Sequence, residues 1–227
     1  VNLRQLYHIA RGVWLEAIRK KEIYVIVGLC CLFIIALAQF RFFGIENLSK
    51  FYRETALKIM SAATALTVMV LGTRQLPREF ETRTIYPLLA RPITRATFLL
   101  GKQLGVVVAG CFCLGLLLLL YCLGSLMLRA PLYPVLLFQH VLLQVCMLLI
   151  LTSLCFLLSV ICSPDAALTL ALLYYAASTI VSNLFLMLYD YSVGLARLLI
   201  SAFTWMLPQM MLFDLSEKNV HGDVWEP

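Results

Sequence analysis

Val106-Val107-Val108-Ala109-Gly110-Cys111-Phe112-Cys113-Leu114-Gly115-Leu116-Leu117-Leu118-Leu119-Leu120 runs without a charge, an amide or a proline. It is the centre of an apolar window from Phe98 to Leu128 whose only charged side chain is Lys102, near its start. A helix rises about 1.5 Å per residue, so about 20 apolar residues cross the hydrocarbon of a bilayer. This window exceeds that length and is expected to tilt or protrude. Four more windows repeat the pattern: Ile23 to Phe40, the shorter Ala56 to Leu71 with Lys58 near one end, Val135 to Ile161, and Ala166 to Leu188. Of 227 residues 62% are apolar and 13% charged, where a soluble domain has about half and about a quarter. A water-soluble enzyme, a disordered chain and a disulfide scaffold are excluded on these grounds. The expected fold class is all-α: a polytopic membrane protein with five transmembrane helices.

An amphipathic segment, residues 1–22, precedes the first window. Leu3, Leu6, Tyr7, Ala10, Val13, Trp14, Ala17 and Ile18 recur at helical spacing, with Arg4, Arg11, Arg19, Lys20 and Lys21 supplying a basic side. The pattern predicts a helix in the membrane interface with Trp14 in the headgroup zone. Five arginines, Arg74, Arg78, Arg83, Arg91 and Arg95, cluster between the second and third windows, whereas the next connection holds only Arg129. Positive-inside logic puts the N-terminal segment and the arginine-rich connection in the cytoplasm of an inner-membrane-type bilayer, and the 44–54 connection outside. The formal charge of +6 reflects this topology rather than a nucleic-acid partner. Pro131 and Pro134 mark one turn, and Ser163-Pro164-Asp165 the next, with Asp165 expected to cap the following helix.

Catalytic and metal chemistry find no purchase. The eight cysteines all lie in or beside apolar windows, where they read as small packing residues. Cys111 and Cys113 are two apart on a helical pattern and point to different faces, a poor metal clamp. His8, His140 and His221 are far apart in sequence, so no metal set is expected. Gly101-Lys102 lacks the preceding glycine and following hydroxyl of a phosphate-binding loop. No catalytic residue and no cofactor-binding residue are assigned to this chain.

The connection between the second and third windows reads Thr73-Arg74-Gln75-Leu76-Pro77-Arg78-Glu79-Phe80-Glu81-Thr82-Arg83-Thr84-Ile85-Tyr86-Pro87-Leu88-Leu89-Ala90-Arg91-Pro92-Ile93-Thr94-Arg95. Pro77 suits a first helical position, with Glu79 and Glu81 then favoured in the first turn by the helix dipole. Thr94 can cap the helix that follows. Leu88 and Leu89, apolar on a charged connection, call for a lipid or protein partner. A solvated basic loop accounts for the arginines, but not for the two carboxylates and the apolar patch between prolines.

This stretch resembles the permease subunits of ABC-2-type ABC transporters, especially those with a separate ATPase subunit. The family pattern is an acidic Glu-x-Glu, a small residue and Thr, paired leucines, Arg-Pro, a basic residue, then an apolar-Gly-Lys run. Glu79-Phe80-Glu81, Thr82-Arg83-Thr84, Leu88-Leu89, Arg91-Pro92, Arg95 and Leu100-Gly101-Lys102 match it, with Arg83 standing where many relatives have glycine. Leu207-Pro208 and Leu212-Phe213-Asp214 are similar to the segment before the family's last helix. The resemblance implies a transmembrane domain over residues 23–227, with an outer re-entrant or surface segment at 193–214. It also implies a sixth helix beyond Pro227, so the sequence is expected to continue.

The implied function is that of a transporter permease, an exporter by family, coupling ATP hydrolysis in a partner to substrate movement. Segment 74–95 would be a coupling segment contacting a cytoplasmic ATPase subunit through Arg78, Glu79, Glu81, Thr84, Leu88, Leu89, Arg91, Pro92 and Arg95. ATP and magnesium would be bound by that partner, and a second permease, identical or different, would complete a dimer in the lipid bilayer. The rival readings are a non-transporting membrane anchor or assembly subunit, and an intramembrane lipid-modifying enzyme. The enzyme would need clustered acids or histidines at one membrane face, which the sequence lacks.

Two polar groups inside the windows are candidates for the pathway or the dimer interface. His140 and Gln144 share a face at i,i+4 spacing beside Gln139. Ser178, Thr179, Ser182 and Asn183 give the last window a polar stripe, and in lipid such groups face protein or water. Gly101 and Gly105 permit close approach of another helix.

Overall fold

The computed structural model describes residues 3–19, 21–39, 45–81, 94–127 and 133–191, with side chains described over 4–19, 24–36, 51–78, 94–127 and 133–178. The expected all-α fold is borne out: the described residues form α-helices, with no strand among them. These are α1 (Leu3–Arg19), α2 (Lys21–Gln39), α3 (Ile45–Glu81), α4 (Arg95–Met127), α5 (Pro134–Ile161) and α6 (Pro164–Tyr191).

Helix α3 is the centre of the bundle. It packs antiparallel to α4, so that Tyr52 meets Tyr121 at one end and Gln75 meets Lys102 at the other. It runs parallel to α5, where Ser61 and Thr64 meet Gln144 and Gly72 lies against Cys155. One core cluster joins α1, α3, α4, α5 and α6 through Val13, Ala65, Val68, Met69, Ala109, Leu148, Leu151, Cys155 and Ala171. A second joins α2, α3 and α4 around Ile34, Tyr52, Leu57, Met60, Cys113, Leu117 and Tyr121. Many contacts involve alanine, glycine, serine or threonine. In lipid, where apolar burial alone does not drive helices together, close backbone approach and van der Waals contact do.

The outward surface is the complement of this core. Leu29, Leu32 and Phe33 of α2, Leu119 and Leu123 of α4, and Phe138 and Leu157 of α5 are all exposed. An apolar surface so extensive demands an apolar solvent. Among the described residues, Phe51–Arg78, Arg95–Met127 and Pro134–Ile161 are long and apolar enough to cross a membrane, and Tyr24–Ala36 is a shorter apolar helix.

Three local expectations are corrected. The 44–54 connection, expected as a loop, is helical from Ile45 onward. Burial of Tyr52 against Tyr121 and an i,i+4 ion pair from Lys58 to Glu54 (2.6 Å) account for the extension. Pro77 does not start a new helix; it lies inside α3, near its end. Extending a formed helix needs no new nucleus, so α3 tolerates a missing N–H that a free segment would place at its start. Glu79 and Glu81 therefore stand at the C-terminal end of α3, where the dipole opposes rather than favours them. At the third site, Ser163 rather than Asp165 occupies the cap. The Ala167 N–H donates to the Ser163 carbonyl at 2.8 Å, Pro164 is the first helical residue, and Asp165 sits in the first turn. Proline is favoured at that position because its missing N–H has no intrahelical partner there.

Candidate functional site

The ends of α3 and α4 frame the connection that the sequence singles out. α4 begins as Thr94 predicts. The Thr97 N–H donates to Thr94 Oγ1 at 3.3 Å, and the Phe98 N–H donates to the Thr94 carbonyl at 3.1 Å. This cap satisfies donors at the start of α4 and fixes where the chain re-enters the bundle.

One turn further in, Lys102 of α4 donates through Nζ to Gln75 Oε1 of α3 at 3.3 Å, and both side chains are buried. The ammonium also lies 5.8 Å from the Phe98 ring centroid. A charge-assisted bond in a low-dielectric setting exceeds a neutral one, and it ties the two helices together just inside the connection.

α1 completes the frame. A Cβ at Gly105 would stand 2.6 Å from Val13 Cβ and 2.9 Å from the Ala10 carbonyl oxygen. At Gly101 it would meet Ile9 Cγ2 at 2.9 Å. The two glycines thus form a flat seat on α4 into which the apolar face of α1 fits, and Trp14 continues the contact edge-to-face with Phe112 at 5.0 Å. Glu16 of α1 forms an ion pair with Arg78 of α3. Both side chains are partly exposed, so this pair contributes roughly 0.2–1 kcal/mol and serves to orient more than to stabilise. The apolar stripe expected to face lipid is spent on protein.

Of the residues assigned to the coupling segment, Arg78 is thus placed against α1 and Arg95 is exposed on the first turn of α4. Glu79 and Glu81 are in the last turn of α3, their side chains outside the described residues. Thr84, Leu88, Leu89, Arg91 and Pro92 lie outside the described residues altogether. The reading of residues 193–214 lies outside them as well.

The second candidate group separates into two places. His140 and Gln144 are fully buried on α5. Gln144 Nε2 donates to Thr64 Oγ1 at 3.0 Å and to the Ser61 carbonyl at 3.3 Å, while Thr64 accepts from within its own helix's reach and donates back to α3 carbonyls. Ser178 is half-buried on α6; Thr179, Ser182 and Asn183 are helical, their side chains outside the described residues. Nothing described brings α6's stripe to the α3–α5 bonds.

Four functional-looking residues escaped the sequence reading: Glu16, Gln75, Ser61 and Thr64. Ser61, Thr64 and Thr67, at three-residue spacing in an otherwise apolar window, were the available sign of a buried polar face. Thr67 meets Cys113 of α4 at 3.6 Å on that face. Glu16 and Gln75 carried no such sign, because each gains meaning only from a partner distant in sequence. Among the described residues no cluster of His, Cys, Asp or Glu could hold a metal ion.

No curated protein matches the chain. A family of transporters does, over residues 14–212, a range that takes in most of α1 and every helix after it, together with the framed connection. With its lipid-type apolar surface and its long helices, the chain belongs to the ABC-2 family transporter proteins and is a multi-pass membrane permease.

Proposed function

We propose that this permease is the membrane subunit of an ATP-driven exporter, and that the connection between α3 and α4 is where a cytoplasmic ATPase subunit engages it. ATP and magnesium belong to that partner. A second permease, identical or different, completes the assembly, which sits in a cytoplasmic membrane with α1 and the connection on the cytoplasmic side. The family membership supports an ATPase partner in general terms.

The observation that carries the reading is the frame itself. α3 and α4 are joined at their ends by the Lys102–Gln75 bond, and α1 is clasped to both by Glu16–Arg78 and the Gly101/Gly105 seat. A load applied to residues 82–93 is delivered to these linked helices as one unit, and not lost in a flexible loop. Glu79, Glu81 and the arginines would steer an approaching partner, with Leu88 and Leu89 as apolar anchors.

The test is affinity purification of the tagged chain in mild detergent, with ATP hydrolysis measured on the co-purified complex. Glu81→Lys combined with Leu88→Ala is expected to lower ATPase association or substrate-stimulated turnover at least severalfold while membrane insertion persists. A chain that purifies alone, or a partner indifferent to the double substitution, overturns the reading.

A further inference from the structure

We propose that α1 binds the anionic headgroups of phospholipids along a basic stripe that faces away from the bundle. Seating on α4 uses up Val13 and Ala17, both fully buried, together with the flanking Leu6, Ile9, Ala10 and Trp14. What α1 leaves exposed is the opposite arc of the helix: Arg4, His8, Arg11, Leu15 and Arg19, which recur at three- and four-residue steps, with Tyr7 alongside. Arg4, Arg11 and Arg19 make this arc positive along its whole length. The helix's one acid, Glu16, lies to the side and is engaged by Arg78, so it does not neutralise the stripe.

The position of the stripe selects its partner. α2 starts at Lys21, immediately beyond Arg19 and Lys20, and its exposed side chains are Tyr24, Val25, Leu29, Leu32 and Phe33. Those residues face hydrocarbon, with Tyr24 at the depth where aromatic rings favour the interface. The Arg19 end of α1 is therefore at headgroup level. Exposed Tyr7 and Leu15 among the arginines are the short apolar contacts that a surface-lying helix sinks between headgroups. Phosphate-bearing lipids with net negative charge match this surface; neutral ones do not. The inference does not depend on an ATPase partner.

The experiment incorporates the full chain into nanodiscs of mixed phosphatidylglycerol and phosphatidylcholine, then extracts it in mild detergent and counts retained lipids by native mass spectrometry. Each exposed basic side chain near an anionic surface contributes about a fivefold gain in affinity, fading as salt rises. Arg4→Gln/Arg11→Gln/Arg19→Gln is thus expected to cut the phosphatidylglycerol excess at least tenfold. The corresponding triple lysine variant, which keeps the charge, should retain it within about twofold. Protease protection of α1 reports that the helix remains seated. An unchanged excess in the glutamine variant overturns the proposal, as does loss of the excess in the seated lysine variant. So does a glutamine variant that keeps its lipid but sheds a co-purifying soluble subunit, since the stripe would then be a protein-docking face.

Discussion

Gln144 on α5 donates to the hydroxyl of Thr64 on α3 at 3.0 Å, with both side chains wholly withdrawn from the surface. Because Thr64 also donates to the Met60 or Ser61 carbonyl of its own helix, it can accept the amide without leaving its own proton unused. Thr64→Val should then remove one acceptor, Gln144→Leu two donors, and the pair should couple. Interhelical bonds of this kind average about 0.6 kcal/mol and reach about 1.7. A double-mutant cycle on unfolding in detergent is expected to return a coupling in that range. A value indistinguishable from zero would mean that the contact is tolerated rather than stabilising.

Gly105 and Gly115 lie on the same helix and differ sharply in what surrounds them. Gly105→Leu must displace Val13 and the Ala10 backbone and is expected to cost about 1–3 kcal/mol or release α1 outright. Gly115 has nothing within 4 Å of a built Cβ, so Gly115→Ala should be neutral or stabilising by up to about 1 kcal/mol. Limited proteolysis within α1 distinguishes the two. Faster cleavage in the Gly105 variant alone is the expected outcome, and equal rates would remove the seat from the account.

Lys102→Met keeps the length of the side chain and removes its charge. It should destabilise by about 1–3 kcal/mol, because Gln75 Oε1 is left buried beside an apolar tip. Adding Gln75→Leu removes the stranded acceptor and should recover part of that loss. Thermal unfolding of the two single variants and the double variant in the same detergent measures both effects. A double variant less stable than the sum of the singles would contradict this pairing.

The Glu16–Arg78 pair should behave as a surface contact. Glu16→Gln is expected to change stability by less than about 1 kcal/mol at low salt and by almost nothing at high salt. A loss that persists in molar salt would show that Glu16 carries a packing role as well.

The class of the fold was legible because apolar windows of this length have few alternatives to helices in lipid. The Thr94 cap was legible for an equally local reason: a hydroxyl and the N–H three residues on are all that a cap requires. Pro77 was misjudged by the same local logic, since nothing within a few residues reveals that α3 arrives already formed from 45 onward. Gly101 and Gly105 announced a close contact without naming the helix that makes it. The partner, α1, lies about 90 residues earlier in sequence, where its stripe fits lipid and protein equally well. Gln144 stood out as an amide among apolar residues, yet its bond depends on a register between α3 and α5 that no short window encodes.

The continuity of α3 has a mechanical consequence. Its 37 residues make a rod about 55 Å long, nearly twice the thickness of the hydrocarbon. Tyr52 near one tip and Arg78 near the other belong to the same stiff body, so a sideways push on one tip swings the opposite tip instead of fading within a turn or two. Pro77 supplies the one swivel among its described residues, because it leaves the Thr73 carbonyl without its helical donor. The joint lies at the handle end of the lever, where the outer arm stays rigid while the grip can pivot.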